Sequence, residues 1–337
     1  MRIWRFPERP DGIDSLVLLD EPTPRPGHGQ VLVRVRAASL NYRDLGVAGG
    51  RSARGPAPPN LVPLSDGAGE VVEIGAGVTR VKPGDRVTGI FMQSWIGGEI
   101  EPYHVASSLG GSIDGVLAEY VLFDQEGLVG VPAHLSFEEA ATLPCAGVTA
   151  WNALYGGRSL RAGESVLVLG TGGVSIFALQ FAHAAGARVI ATSSSDVKLA
   201  QARALGASDG INYRHHPDWQ VEVQKLTGGS GVDYVVEVGG AGTLPRSMEA
   251  VRAGGQVPLI GVLTGGEINP TTVLRRNLTL RGIYVGSRQM FQAMNRSIEL
   301  HNIHPVIDRV FDLEQAKQAY RHLQSQTHVG KVVICVK

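Results

Sequence analysis

The stretch Ser165-Val-Leu-Val-Leu-Gly170 runs directly into the turn Thr171-Gly172-Gly173-Val174-Ser175, which an apolar, helix-compatible segment follows. A second strand-like run comes next, at residues 188–192. This order of strand, glycine-rich turn, helix and strand is typical of a βαβ dinucleotide-binding unit. Glycines let the backbone approach a pyrophosphate closely, and the first turn of the helix offers unpaired N–H groups. The alternative is an ordinary strand-to-helix turn, since Ser175 occupies the third glycine position of the motif.

The residues after the second strand indicate the preferred cofactor. Units that prefer NAD usually carry an acidic residue here, whose carboxylate binds the ribose 2′-hydroxyl and would repel a 2′-phosphate. This chain has Ser193, Ser194 and Ser195 at that point, with Lys198 just beyond. Three hydroxyls and one ammonium group favour a phosphate. We therefore predict NADP(H) as the cofactor.

Strands and helices alternate through the middle of the chain. Strand-like runs lie at residues 209–213, 232–238 and 255–262, and helix-compatible segments such as 196–205 and 217–226 separate them. A further run at residues 278–285 extends the series as a sixth strand. This alternation predicts an α/β fold with a doubly wound parallel sheet and right-handed connections.

The first part of the chain has a different pattern. Short β-type runs at residues 30–37, 70–74 and 118–123 are separated by turns rich in proline and glycine, which favours a β-barrel or sandwich. The sequence Ser136-Phe-Glu-Glu139 is a capping box that begins a helix, and residues 331–336 form a final strand that returns to the first domain. The predicted divisions are a β-rich catalytic domain at 1–127, a nucleotide-binding domain at 128–286 and a C-terminal return at 287–337.

Charge and composition argue against several kinds of partner. The chain has 31 basic and 31 acidic side chains, so no net field draws it to nucleic acid or to an anionic membrane. Its first residues are too polar for a signal peptide, and no apolar stretch reaches membrane-spanning length. The two cysteines, Cys145 and Cys335, cannot form a four-cysteine zinc site. We expect a cytoplasmic protein that binds a small-molecule substrate, with neither nucleic acid nor membrane as a partner.

Motifs along nearly the whole chain resemble the medium-chain dehydrogenase/reductase superfamily. They lie in the order of that superfamily at residues 26–44, 67–75, 81–87, 143–149, 170–175, 205–207 and 330–334. The resemblance implies a GroES-like catalytic domain, a Rossmann domain and an active-site cleft between them. It also implies assembly into dimers or tetramers. We predict a homodimer that pairs through a sheet edge formed by residues 255–262 and 278–285.

The resemblance also shows where this chain departs from the zinc alcohol dehydrogenases. The positions of their three catalytic-zinc ligands correspond to Asn41, Ser65 and Cys145. One thiolate cannot hold tetrahedral zinc, and residues 92–118, where the structural-zinc lobe of the family would lie, contain no cysteine. We therefore predict no metal. The nearest subgroup is then the zinc-independent reductases that are similar to quinone oxidoreductases, and Cys145 is interpreted as a packing residue.

Without zinc, a conjugated acceptor is the easier substrate. After hydride addition to carbon, negative charge spreads over an enolate or phenolate, which a hydrogen-bond donor stabilises. The resemblance places Tyr42 beside the nicotinamide, so Tyr42 is the predicted catalytic residue, with a wall of the cleft as the equal alternative. The predicted function is NADPH-dependent reduction of activated double bonds or quinones. A zinc-free alcohol or aldehyde dehydrogenase and a nucleotide-binding protein with little catalysis stay open.

Further cofactor contacts follow from the resemblance. Asn41 corresponds to a residue at the nicotinamide end, Thr149 to one beside the nicotinamide face, and Tyr213 to a tyrosine near the adenosine phosphate. Val238, Gly261, Val262 and Val285 lie at predicted strand ends, with core packing as the alternative. The complete predicted cofactor site is Asn41, Thr149, Gly170, Thr171, Gly172, Gly173, Val174, Ser193, Ser194, Lys198, Tyr213, Val238, Gly261, Val262 and Val285.

Three polar residues near these motifs receive structural interpretations. Asp44 is expected to be a structural hydrogen-bond acceptor. Asp66 is expected to cap a turn, with a supporting role behind the active site as the alternative. His104 is interpreted as an exposed loop residue, although a histidine there would titrate near neutral pH.

Overall fold

The computed structural model describes residues 1–8, 10–52 and 55–337, and it divides into two compact units. The first unit comprises Met1–Val148 and Gly286–Lys337, and the second comprises Thr149–Val285. Each unit has an apolar core of its own. Among the described residues, no helix has the length and apolar character needed to cross a membrane.

The N-terminal part of the first unit is rich in strands. Its elements in chain order are β1 (Arg2–Arg5), β2 (Val17–Asp20), β3 (Gln30–Leu40), α1 (Tyr42–Ala48), β4 (Arg51–Ser52), β5 (Gly55–Pro56), β6 (Asp66–Ile74), β7 (Arg86–Gly89), α2 (Pro102–Val105), β8 (Tyr120–Asp124), β9 (Leu128–Gly130) and α3 (Phe137–Ala140). A π-helical turn at Leu143–Gly147 leads into α4 (Val148–Tyr155). The predicted capping box is present at α3, where Ser136 Oγ accepts from the Glu139 N–H.

The second unit alternates strands and helices. Its elements are β10 (Ser165–Leu169), α5 (Gly173–Ala184), β11 (Arg188–Ser193), α6 (Asp196–Ala204), β12 (Asp209–Asn212), α7 (Trp219–Leu226), β13 (Val232–Val236), α8 (Leu244–Ala250), β14 (Val251–Leu259), α9 (Pro270–Arg275) and β15 (Thr279–Gly282). The chain then returns to the first unit through α10 (Arg288–Leu300), β16 (Ile307–Asp312), α11 (Ala316–Gln324) and β17 (Lys331–Cys335).

The main sheet of the first unit brings together strands that are distant in sequence. Its order is β16-β17-β3-β6-β7-β9, and β8 also pairs with β3. Strand β17 runs antiparallel to β3, with Val332 opposite Leu40. Strand β6 pairs antiparallel with the other edge of β3, with Asp66 opposite Ser39. The ends of three strands from different parts of the chain therefore adjoin.

The boundary predicted after residue 127 lies too early. Residues 128–148 belong to the first unit. The reason is that β9 pairs with β7, while Ala140 and Ala141 pack against Ala37, Ala68 and Val333 in a buried cluster. All members of this cluster belong to the first unit.

Every residue of the second unit is described, and its six strands form one parallel sheet. The order is β12-β11-β10-β13-β14-β15. The chain starts at the centre with β10, extends the sheet to one side through β11 and β12, and then continues on the other side of β10. Parallel strands with connecting helices make the doubly wound Rossmann arrangement, as predicted. Ligands of such sheets bind at the carboxyl ends of the strands, where the order reverses.

Candidate functional site

The turn after β10 has room for an anion. Gly170 adopts a left-handed conformation with a φ of 71°, and its N–H donates to Thr192 Oγ1 at 3.2 Å. No atom lies within 4 Å of the place where a Cβ would stand on Gly170 or Gly172. Helix α5 begins at Gly173, and its N-cap, Gly172, has no side chain to cap the first turn. Uncapped N–H groups and an open approach fit a pyrophosphate.

Ser175 shows how this turn accommodates a serine at the third glycine position. The side chain is buried, and its Oγ donates to the Leu169 carbonyl oxygen at 2.7 Å. This bond ties the start of α5 to the end of β10 and satisfies the buried hydroxyl. Of the predicted contacts, Gly170, Thr171 and Gly172 lie in this turn, and Gly173 and Val174 begin α5.

The ends of β11 and β12 bring together the residues predicted to hold a 2′-phosphate. Ser193 is the last residue of β11, and its carbonyl oxygen accepts from the Tyr213 N–H at 3.0 Å. The Ser193 hydroxyl accepts from the Ser195 N–H at 3.3 Å. Ser195 Oγ caps α6 by accepting from the Lys198 N–H at 3.5 Å. Ser193, Lys198 and Tyr213 therefore lie at one edge of the sheet, and half-buried Ser194 lies between them.

A carboxylate that was not among the predicted site residues also lies at this edge. Asp196 is the first residue of α6, and its Oδ1 accepts from Asn212 Nδ2 at 2.8 Å. A negative charge is favourable in the first turn of a helix. The residue was visible in the sequence three positions after Ser193. It adds a negative charge to an edge that Lys198 makes positive.

A second carboxylate that the analysis missed organises the loop after β13. Glu237 is fully buried, and its Oε1 accepts from the N–H groups of Gly239 at 2.7 Å and Gly240 at 3.0 Å. The same atom accepts from Thr243 Oγ1 at 2.6 Å, while Oε2 accepts from Ser247 Oγ. The sequence signal was an acidic residue inside an apolar run. Glu237 fixes the backbone at the carboxyl end of β13, where ligands of such sheets bind.

Val238, Gly261 and Val262 lie in the loops that follow β13 and β14, beyond the strand ends where they were predicted. A Cβ on Gly261 would overlap the backbone of Val238, so the loops touch at a point where only glycine fits. Val262 is 84% exposed, whereas Val238 is half-buried. The core-packing alternative therefore does not apply to Val262.

Val285 has a strained backbone. Its φ is 56°, which is unusual for a β-branched residue, and its carbonyl oxygen accepts from Asn152 Nδ2 at 2.7 Å. Strained residues of this kind cluster at functional sites. Thr149, the first residue of this unit, is buried in α4, the helix that also holds Asn152.

A buried polar cluster lies in the first unit where β3, β6 and β17 adjoin. It consists of Ser39, Asn41, Asp44, Ser65, Asp66 and Lys331. Lys331 Nζ donates to the Leu40 carbonyl oxygen at 2.6 Å and to Asn41 Oδ1 at 2.5 Å, and it lies 3.6 Å from Asp66 Oδ2. The polar cluster therefore contains a buried ammonium group with three oxygen partners, which the sequence analysis did not single out.

Asp66 connects several parts of the polar cluster. Its Oδ1 accepts from Ser65 Oγ at 2.6 Å, and its Oδ2 accepts from the Cys145 N–H at 3.2 Å. Burial and the neighbouring Asp66 carboxylate raise the pKa of the Cys145 thiol, so the thiol stays protonated. Asp66 is thus an ion-pair partner and not only a turn cap.

Helix α1 exposes Tyr42, whereas Asn41 and Asp44 on either side of it are buried. The Asn41 N–H donates to Asp44 Oδ2 at 2.7 Å, which is the hydrogen bond expected of Asp44. Arg43 donates to the carbonyl oxygens of Leu109 and Gly110, each at 3.0 Å. Tyr42, the first residue of α1, is 50% exposed. The start of the helix is held rigidly, and the Tyr42 side chain extends away from it.

Burial raises the pKa of the Asp44 carboxyl to about 6, and the charge of Asp66 adds to the shift against the opposing effects of Arg43, the Asn41 N–H and Lys331. The folded protein therefore retains a proton that the unfolded chain loses near pH 4. As the pH rises from about 4 to about 6, ionisation of Asp44 removes stability, and above pH 6 the loss is complete.

Replacing Asp44 with Asn is expected to remove this pH dependence, because the amide oxygen still accepts from the Asn41 N–H but carries no charge. At pH 8 the free energy of unfolding should rise by about 1–3 kcal/mol, and at pH 4 it should be unchanged. Urea denaturation of both proteins at the two pH values measures this. An Asp44→Asn protein that is less stable at both values would contradict it.

The histidine predicted to be exposed is buried. His104 lies in α2, its ring packs on Trp95 with centroids 5.9 Å apart, and its Nδ1 accepts from the Glu101 N–H at 2.9 Å. Because one ring nitrogen is an acceptor, the neutral ring carries its proton on Nε2. The prediction was wrong because the segment before Gly115 folds into a packed turn that closes over the ring.

Two family profiles match the chain in the order of the two units. The alcohol dehydrogenase GroES-like domain matches residues 27–133, and the zinc-binding dehydrogenase profile matches residues 173–299. A zinc-type alcohol dehydrogenase-like protein of Schizosaccharomyces pombe is 46% identical over 316 residues, which cover 91% of this chain and 90% of the relative. The chain belongs to the medium-chain dehydrogenase/reductase superfamily. It is thus an oxidoreductase of a family that binds nicotinamide cofactors.

Relatives and solved structures carry both alcohol dehydrogenase and quinone oxidoreductase names. The quinone oxidoreductase of Lama guanicoe is 29% identical, covering 94% of this chain and 92% of that protein. A putative alcohol dehydrogenase of Sinorhizobium meliloti has a similar structure, with a TM-score of 0.90, 40% identity and 99% coverage of both chains. A mycobacterial protein solved in complex with NADPH has a TM-score of 0.82 at 26% identity, again with 99% coverage of both.

The residues at the superfamily's zinc positions do not fit a zinc ion. Asn41 Oδ1 is bound to the Lys331 ammonium and Ser65 Oγ donates to Asp66, which leaves Cys145 as the one thiol among the three positions. Zinc needs deprotonated or neutral donors that are free to converge on it. Across the described ranges, no group of three His, Cys, Asp or Glu side chains is placed to bind a metal. The profile named for zinc-binding dehydrogenases begins at residue 173, beyond all three positions.

Proposed function

We propose that the protein reduces activated double bonds or quinones with NADPH and without zinc. The observation that carries the proposal is the buried ammonium of Lys331 on Asn41, at a position where zinc dehydrogenases place a metal ligand. A cation already satisfies the oxygen that would face a metal. The reaction therefore needs a substrate whose developing charge is spread over conjugated atoms, so that hydrogen bonds are enough to stabilise it.

The cofactor supplies a hydride when bound, and the chain supplies position, hydrogen bonds and a proton. On the substrate, the carbon that is β to the carbonyl group takes the hydride, and the electron pair of the C=C bond moves towards the oxygen as an enolate. A proton from Tyr42 or from water then completes saturation at the neighbouring carbon. Tyr42 suits this role because half of its side chain is exposed at the start of a rigidly held helix.

The choice of NADPH over NADH rests on Ser193, Ser194 and Lys198. Lys198→Ala is expected to weaken NADPH binding by about 10- to 100-fold, the effect of losing a hydrogen bond to a charged group, and to leave NADH nearly unchanged. Fluorescence titration with both nucleotides measures this. Equal weakening of both would show that Lys198 does not contact a 2′-phosphate.

The reaction is tested by following NADPH oxidation with a quinone, an enone, a 2-alkenal and a saturated aldehyde, each with and without a chelator. We expect turnover of the three conjugated acceptors only, unaffected by the chelator. The second candidate is a zinc-free alcohol or aldehyde dehydrogenase, which the alcohol dehydrogenase names of several relatives favour. Turnover of the saturated aldehyde would support that candidate, and loss of activity with the chelator would refute zinc independence.

We also propose that two copies of the chain assemble through the second unit. Strand β15 is the last strand of the parallel sheet, so its outer edge has unpaired backbone groups. Leu274 and Val262, in the segments that flank it, are 80% and 84% exposed. A sedimentation measurement should give a dimer, and a monomer at micromolar concentration would refute this.

A further inference from the structure

The side-chain amide of Asn41 has a hydrogen-bond donor without an acceptor. Its Nδ2 is buried and has no hydrogen-bond partner among the described residues, while the residue as a whole keeps 8% of its surface exposed. A buried donor without an acceptor is unfavourable, and native structures rarely keep one. Such a donor therefore points to an acceptor that arrives with a ligand.

Lys331 decides which end of the Asn41 amide is unpaired. An ammonium group can only donate, so the amide atom 2.5 Å from Lys331 Nζ must be the oxygen. The backbone N–H of Asn41 is also fixed, because it donates to Asp44. Lys331 therefore holds the side-chain amide by its oxygen while Asp44 holds the backbone, and the NH₂ group is the end left to bind an acceptor.

We propose that Asn41 Nδ2 donates to the substrate oxygen on which negative charge develops, and that Lys331 is the positioning residue that holds the amide in this orientation. The proposal rests on the proposed reduction of conjugated carbonyl compounds. It differs from the sequence-based expectation, in which Asn41 only contacts the nicotinamide. The contact with the ammonium also polarises the amide, because hydrogen bonds in a chain strengthen one another.

Asn41 and Tyr42 are suited to different steps of the proposed reaction, because their side chains differ in whether they can give up a proton. A hydroxyl both stabilises an oxyanion and gives up a proton, whereas an amide NH₂ only donates a hydrogen bond. Asn41 is thus suited to the step in which the enolate or phenolate forms, and Tyr42 to the protonation that follows. Loss of the Asn41 donor should matter more when the oxyanion is more basic.

The test uses Asn41→Asp, which keeps the shape and the oxygen that faces Lys331 but replaces the NH₂ group with an acceptor. We expect kcat for an enone to fall by about 10²- to 10³-fold, and kcat for a quinone to fall much less because the phenolate formed is less basic. Asn60→Asp makes the same change at an exposed turn of the same unit and should leave both rates unchanged. Asn41→Ala removes the donor without adding a charge, so it replaces Asn41→Asp in the test if Asn41→Asp does not fold.

A binding measurement separates this proposal from the proposed function. Substituted phenolates are titrated into the full chain in the presence of NADP⁺, which needs no turnover. We expect the affinity to increase with phenolate basicity, and this dependence to disappear in Asn41→Asp and to weaken in the charge-neutral double variant Lys331→Met/Asp66→Asn. If phenolate binding depends on Asn41 but no acceptor is reduced, the role of Asn41 as a donor is supported and the proposed reaction is refuted. Normal reduction by Asn41→Asp and Asn41→Ala, or equal losses for enone and quinone, would refute the donor and leave the reaction standing.

Discussion

Replacing Gly172 with Asp is expected to raise the free energy of unfolding by about 0.5 kcal/mol while weakening NADP(H) binding by about 100-fold or more. Gly172 is the N-cap of α5, with φ −74° and ψ 175°, a conformation that Asp adopts readily. Its carboxylate would accept from the uncapped N–H groups of the first turn and complement the helix dipole. The same carboxylate would occupy the open space beside Gly170 and repel a pyrophosphate.

Because stability is expected to rise while NADP(H) binding weakens, a misfolded protein would not give the same result. Gly172→Asn is the matched control, because it caps the helix equally well but adds no charge, and it should weaken NADP(H) binding by only about 10-fold. Urea denaturation and fluorescence titration measure the two quantities. If Asp and Asn weaken binding equally, the phosphates do not lie at this turn, and the anion site lies elsewhere on the sheet edge.

The second unit could be predicted from the sequence because its signals are local. Each strand is an apolar run, and turn residues separate it from an adjacent helix, so short windows of sequence contain the information. The predicted runs at residues 188–192 and 209–213 match β11 and β12 to within one residue. The run at 255–262 is displaced from β14, which begins earlier, at Val251. Residues 260–262 of the predicted run lie in the loop after β14. This loop can contact Val238 because residue 261 is a glycine.

The polar cluster could not be predicted, because pairing between distant strands creates it. Lys331 and Asn41 are 290 residues apart, and only the antiparallel register of β17 on β3 places them in contact. In the sequence, Lys331 is a single cation that begins an apolar strand, and Asp66 resembles a turn residue. Their burial, which decides their energetics, depends on the whole sheet. The same limit applies to His104, whose burial depends on Trp95.

Removal of the Lys331 ammonium is expected to destabilise the fold more than any other single change discussed above. Lys331→Met should lower the free energy of unfolding by about 3–5 kcal/mol, because it leaves the carboxylate of Asp66 buried without its countercharge. Both side chains are nearly inaccessible, and Asp44 lies close enough for the Asp66 charge to raise its pKa. With the ammonium gone, its charge no longer offsets the repulsion between the two buried carboxylates.

The double variant Lys331→Met/Asp66→Asn should regain most of that stability, because the amide can keep the hydrogen bonds from Ser65 and Cys145 while no charge is buried. A double-mutant cycle by urea denaturation gives the coupling between the two residues, which we expect to be at the upper end of the usual range, about 3 kcal/mol. A coupling near zero would mean that Asn41 and the Leu40 carbonyl oxygen alone stabilise the ammonium. The double variant could regain its stability while its kcat stays low. That result would show that the fold does not require the Lys331 ammonium, and that the function of Lys331 is to orient the Asn41 amide.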